Sequence, residues 1–122
     1  MAAQDTLIIG VDSGGTKTIA GAATIDGRFV GIGYGGATNT HFVSDKDAIA
    51  SMRGAVAQAL GQSAQDPAPV PAVKAIYISA PGFPDQVAEM ALRDLCPKAV
   101  IKVEGDAPAA FRGALPRGDG IV

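Results

Sequence analysis

Apolar residues follow two different periods along this chain. Residues 7–11 (LIIGV) form a short apolar run that ends at Asp12 and the Ser13-Gly14-Gly15 turn. Residues 18–25 (TIAGAATI) resume with β-branched and small side chains, the composition of a strand. Asp26-Gly27 is a two-residue hairpin signal, and 29–34 (FVGIGY) follows it. The first third of the sequence therefore predicts a three-stranded antiparallel meander.

The period then changes. Ile49, Met52, Val56 and Leu60 recur at spacings of three and four, with Ser44 placed as N-cap and Asp47 as the acid three positions on. That pattern predicts an amphipathic helix stopped by Gly61. The polar, proline-punctuated stretch 62–71 (QSAQDPAPVP) is a loop leading to a fourth strand at 73–79 (VKAIYIS), which Pro81-Gly82-Phe83-Pro84 breaks. Val87, Ala91 and Leu95 mark a second helix starting near Pro84. A fifth strand is expected at 100–103 and a short third helix at 107–115. The order is βββαβαβα, an α/β fold with a mixed five-stranded sheet flanked by helices.

Composition narrows the class. A chain of 122 residues fits one domain, and 48% hydrophobic against 18% charged residues is the balance of a folded protein. Aromatics are only 5%, with no Trp, so the core must be built from Ala, Val, Ile and Leu, as in parallel sheets covered by helices. The net charge is −2 and the ten basic residues are scattered, which argues against nucleic acid as a partner. Cys96 is the only cysteine, which excludes an intrachain disulfide and a cysteine-based metal site from this chain alone, and fits a reducing cytoplasm. The start, MAAQDTLIIGVD, lacks a basic segment, and its apolar run is too short for a signal peptide or a membrane span.

Candidate chemistry begins in the first turn, where Asp12, Gly14, Gly15, Thr16 and Lys17 lie within six residues. Paired glycines at a tight turn remove the barrier to positive φ and let backbone N–H groups form a nest for anionic oxygens. Thr16 adds a hydroxyl donor and Lys17 a mobile positive charge for phosphates, while Asp12 is a hard oxygen ligand suited to Mg²⁺ through water. A plain hairpin turn is the competing reading, since Gly-Gly is a common turn pair. Two other glycine patterns carry no such chemistry. In Gly10-x4-Gly15-Thr16-Lys17 the lysine does not follow the second glycine directly, as a Walker loop requires. The G-x-G-x-x-G match at 31–36 lies in and after a hairpin strand and opens no helix.

Asn39 stands in the loop after the third strand, where its amide offers donors and an acceptor to a polar ligand or, alternatively, makes an Asx turn. Asp106 follows the fifth strand and precedes the third helix, where a carboxylate can cap the helix or accept a proton from an attacking hydroxyl. His41, the only histidine, has no evident partner and stays outside the catalytic set, as does Glu104. The turn 79–84 (SAPGFP) is read as a backbone turn lining a cleft at the strand ends, and it is assigned no chemistry.

Together these segments carry a resemblance. IGVDSGGTKT at 9–18, then Gly36-Ala37-Thr38-Asn39, Ser79-Ala80-Pro81-Gly82 and Gly105-Asp106-Ala107 resemble, in order and over essentially the whole chain, the N-terminal lobe of the N-acetylglucosamine kinase group and the related BadF/BadG/BcrA/BcrD-type ATPases. The resemblance implies a ribonuclease H-like, actin-like ATPase fold. It also implies ATP and Mg²⁺ as cofactors, with ATP phosphates on Gly14, Gly15, Thr16 and Lys17, the metal on Asp12, and an amino sugar such as N-acetylglucosamine on Asn39 and Asp106. Asp106 becomes the general base. The partners implied are ATP and a small sugar, with a second copy or a C-terminal lobe against the remaining face, and neither nucleic acid nor membrane. In these kinases the strand that begins here as Gly120-Ile121-Val122 runs into a second phosphate turn, so 1–122 is expected to be an N-terminal lobe, inactive by itself. A regulatory or activator-type ATPase without sugar kinase activity is the alternative. Activators bridge a cluster with cysteines, which Cys96 beside Pro97 does not support.

Overall fold

The computed structural model describes residues 5–104. It contains β1 (Leu7–Ser13), β2 (Thr18–Thr24), β3 (Phe29–Gly35), α1 (Asp45–Ala59), β4 (Val73–Ser79), α2 (Asp85–Leu92) and β5 (Val100–Glu104). The strands form one mixed sheet in the order β3-β2-β1-β4-β5. β2 runs antiparallel to β1 and β3, while β1, β4 and β5 are parallel. Every element expected between residues 5 and 104 is present. The expected helix at 107–115, the Gly105-Asp106-Ala107 segment and the strand start at 120–122 lie outside the described residues. No described helix is long and apolar enough to cross a membrane.

Three boundaries differ from expectation, each for a local reason. β1 continues through Asp12 to Ser13, because the chain keeps its pairing with β2 down to Ser13 opposite Thr18. The β2–β3 loop is longer than the two residues that Asp26-Gly27 suggested. Gly27 N–H donates to the Thr24 carbonyl, Gly27 takes φ 99°, and Thr24 N–H donates to the Arg28 carbonyl. This is a three-residue loop with its glycine in the left-handed position. α2 ends at Leu92, and Leu95 is buried from the turn that follows it.

The core lies between one face of the sheet and the two helices. Ile9, Val11, Ala20, Ala22, Ile76 and Ile78 point to that face and are buried against Ala48, Met52, Ala55, Val56 and Ala59 of α1 and Val87, Ala88, Ala91 and Leu92 of α2. Met52 and Val56 bury as the helical period requires, whereas Ile49 and Leu60 pack at the margin. Ser44 caps α1 through its Oγ, which accepts from Asp47 N–H at 3.1 Å. At the other end Gly61, at φ 75°, closes the helix: its N–H donates to Gln58 and that of Gln62 to Ala57.

The glycines of β3 explain the G-x-G-x-x-G match. A Cβ at Gly31, Gly33 or Gly35 would run into the carbonyl oxygens of Ala59, Ala55 and Ser51, closer than side chains ever approach. Four residues of helix advance about 6 Å and two residues of strand about 6.6 Å. A glycine at every second strand position therefore meets a small residue at every fourth helical one, and the two backbones pack directly. β3 is also an edge strand, and Gln58 of α1 covers it: its Nε2 donates to the Tyr34 carbonyl and its Oε1 accepts from Tyr34 N–H, both at 3.2 Å.

On the far side of the core, Arg53 of α1 reaches Asp94 at 2.6 Å and holds that carboxyl below its ordinary range. Cys96 is buried nearby, and burial pushes its thiol up to about 11 from an ordinary 9.0. In the folded chain at pH 8 its thiolate population should thus be down by about 100-fold. Iodoacetamide is expected to label it very slowly in buffer and at an ordinary rate in urea. Because the folded state holds this proton more tightly than the unfolded one, its contribution to stability is complete below pH 9 and lost as pH rises toward 11. Rapid labelling of the native chain would place Cys96 outside the core.

Candidate functional site

Parallel strands in an α/β sheet gather their carboxyl ends at one edge, and ligands bind in the crevice outside that edge. Here β1, β4 and β5 end together, and the register adds β3, since Gly35 pairs with Thr18, which pairs with Ser13. Three connections leave this edge: the β1–β2 turn, the β3–α1 loop and the β4–α2 loop. They carry Lys17, Asn39 and Gly82 respectively.

The β1–β2 turn is closed by Gly14 N–H donating to the Lys17 carbonyl at 2.9 Å, and Gly14, Gly15, Thr16 and Lys17 are all exposed. Neither glycine has a positive φ; among the described glycines only Gly27, Gly61 and Gly82 do. The expectation that backbone conformation requires glycine here is therefore corrected. What the turn has instead is room, because a Cβ on Gly14 or Gly15 would meet nothing within 4 Å. The packing of the chain does not ask for glycine at either position, and the space above them is open to a ligand that approaches the backbone closely. Neither Lys17 nor Asp12 takes part in an ion pair among the described residues.

Beneath the turn lies a group of buried hydroxyls that sequence reasoning missed. Ser13, Thr18 and Thr38 are at most 2% exposed. Thr18 donates to the Gly36 carbonyl at 2.8 Å, so its oxygen accepts from Ser13 at 2.7 Å, and Ser13 in turn accepts from Thr38. Each hydroxyl has one proton, so the chain runs in one direction, Thr38 to Ser13 to Thr18 to the Gly36 carbonyl. The signal in the sequence was a serine and two threonines at strand ends, which alone suggests only turn chemistry.

The β3–α1 loop is fastened to the β4–α2 loop. Thr40 donates to the Gly82 carbonyl through both its N–H (2.8 Å) and its hydroxyl (3.0 Å). Gly82 takes φ 72°, and the Asn39 amide lies where its Cβ would be. Glycine at 82 is thus required twice, by conformation and by contact. The Asn39 Oδ1 accepts from His41 N–H at 2.9 Å, which is the Asx turn. Its Nδ2 remains a donor without a partner among the described residues. Beside it is a cleft of about 410 Å³ lined by Thr40, His41, Gly82, Phe83, Asp85 and Val103, among others. Ala80, Gly82, Phe83 and Pro84 of the 79–84 turn line this cleft.

Asp12, the Gly14 to Lys17 turn and Asn39 are therefore brought to one edge of the sheet. Asp106 lies outside the described residues, and the described chain reaches this edge at Glu104, whose carbonyl accepts from Ala80 N–H at 3.0 Å. His41 is exposed at the mouth of the cleft.

No family model matches the sequence, and no curated protein matches it. Among solved structures, a candidate N-acetylglucosamine kinase from Chromobacterium violaceum is similar to this chain, with a TM-score of 0.58 at 23% sequence identity. The match covers 82% of this chain and 35% of that one. The likeness is one of fold. This chain spans about a third of the length of that protein, and its described part is a mixed five-stranded α/β arrangement.

Proposed function

We propose that this chain is the phosphate-binding lobe of an ATP-dependent sugar kinase of the ribonuclease H-like, actin-like ATPase fold, with N-acetylglucosamine or a similar amino sugar as acceptor. The strand order β3-β2-β1-β4-β5, with only β2 antiparallel, supports the fold assignment. One observation carries the functional reading: the exposed Gly14 to Lys17 turn stands at the carboxyl edge of the parallel strands with open space above both glycines, and the loop that carries Asn39 leaves the same edge. The similarity to a candidate N-acetylglucosamine kinase supports the choice of acceptor.

The residues present suit the groups this reading requires. The room over Gly14 and Gly15 fits phosphate oxygens approaching backbone N–H groups. Thr16 donates a hydrogen bond and Lys17 a positive charge to the same oxygens, and the Asp12 carboxylate suits Mg²⁺, which when bound neutralises phosphate charge. The Asn39 Nδ2 donates to the acceptor sugar, and Asp106 takes the proton of its attacking hydroxyl. The activator-type alternative gains no observation, because the sole cysteine is buried in the core, away from this edge.

The test is nucleotide binding. ATP with Mg²⁺ should bind the 122-residue chain weakly, and Lys17→Ala should weaken it by about tenfold, the scale of one charge-assisted contact. Lys17 is exposed, so the melting temperature should stay near that of the parent. Unchanged ATP affinity on Lys17→Ala would reduce the turn to a plain hairpin and remove the reading.

A further inference from the structure

The register of the parallel strands sets three oxygen-bearing side chains in a row. Asp12 of β1 pairs with Ser79 of β4, and Ser79 pairs with Glu104 of β5. Direct partners on neighbouring strands share a face of the sheet, here the face opposite α1, with roughly 5 Å between adjacent members. Ser79 stands in the middle, is 0% exposed, and its Oγ has no hydrogen-bond partner among the described residues. Natural structures rarely leave such a group unsatisfied. Alanine would fit the same backbone at no polar cost, so the hydroxyl asks for a ligand.

The flanking groups state its charge. Asp12 and Glu104 are both half-buried, and neither is in an ion pair among the described residues. The nearest basic side chain on this face of β5 is Lys102, beside Tyr77 and exposed. A water molecule would satisfy Ser79 and leave two partly desolvated carboxylates uncompensated. A hard divalent cation answers all three, since it takes carboxylate and neutral oxygen ligands together.

We propose that Asp12, Ser79 and Glu104 form a divalent-cation site, with the carboxylates supplying charge and the Ser79 Oγ a neutral oxygen. It rests on the kinase reading only in that the cation would be the one accompanying phosphates on the Gly14 to Lys17 turn. Asp12 alone was legible as a metal ligand; the row adds Ser79 and Glu104, which tie the cation to β4 and β5.

The test titrates Mn²⁺ into the 122-residue chain without nucleotide and follows free Mn²⁺ by electron paramagnetic resonance. One saturable site is expected. Glu104→Gln, which keeps shape, should weaken it at least tenfold, and Ser79→Ala should weaken it several-fold, in the range that loss of a supporting ligand produces. Without metal, Ser79→Ala should melt at or above the parent temperature, because an orphaned hydroxyl has been removed. Absence of saturable binding, or parental affinity in both variants, overturns the site. The two readings fail separately. Parental Mn²⁺ affinity in Glu104→Gln together with weakened ATP binding in Lys17→Ala discards the row and keeps the nucleotide site. The predicted Mn²⁺ pattern with ATP binding indifferent to Lys17 keeps the row and discards the kinase.

Discussion

Gly33→Ala should bring the chain close to unfolding. The added Cβ would enter the space of the Ala55 carbonyl and also crowd Gln58 and the Ala59 N–H, and the obstacles are mostly helix backbone, which cannot swing aside as a side chain can. Overpacking ordinarily costs about 1–3 kcal/mol. Here both sides of the contact are main chain, so a loss of about 3 kcal/mol or more is expected, a large share of the 5–15 kcal/mol typical of a domain. The melting temperature should fall by more than about 10 °C. Gly21→Ala is the control, because it lies on the opposite face of β2 with nothing within 4 Å of the added atom. It should change stability far less. If Gly33→Ala melted within a few degrees of the parent, the direct packing of α1 on β3 would be wrong.

Asp106→Asn should abolish most sugar phosphorylation in a polypeptide that joins this chain to a C-terminal lobe. The change keeps the size of the side chain and its capacity to cap a helix, and removes only the proton acceptor. General base catalysis contributes about 10²–10⁴-fold, and a loss of that size is expected with ATP affinity and melting temperature near the parent. If Asp106 served only as a helix cap, Asp106→Ala would cost about 1 kcal/mol and leave activity per folded molecule intact. An activator-type ATPase would hydrolyse ATP without any sugar and without dependence on this carboxylate. Measuring phosphoryl transfer to N-acetylglucosamine and melting temperature for both variants separates these outcomes, and undiminished transfer by Asp106→Asn would eliminate the base.

The elements were legible where a local period or a local stop decides them. Ser44 and Gly61 bound α1 because capping is chemistry within one turn of helix, and the meander followed from alternation interrupted by glycine. The Gly14 to Lys17 turn was legible as a segment, yet the reason for its glycines was not. Whether Gly14 needs positive φ or only open space depends on what surrounds it, and the answer was space. Three further features depend on register between distant strands. Gly31, Gly33 and Gly35 were set apart from a nucleotide fingerprint by their hairpin context, but what they do instead is visible only once α1 is laid across them. Ser13, Thr18 and Thr38 are ordinary polar residues until pairing buries them together. Ser79 passes as part of a turn until its neighbours on β1 and β5 are known. Asn39 was read with two roles open, and the Asx turn uses its oxygen while leaving its amide nitrogen as a donor.

The buried series from Thr38 through Ser13 to Thr18 has a mechanical consequence. It bolts the base of the loop that presents Asn39 to the base of the turn that presents Lys17, with one proton per joint and every joint in use. The two halves of the candidate site thus belong to one rigid piece. Closure of a cleft above them would carry both together without altering the gap between them. Under the proposed function, the reach from acceptor to phosphate would then be a fixed dimension of this pair of loops.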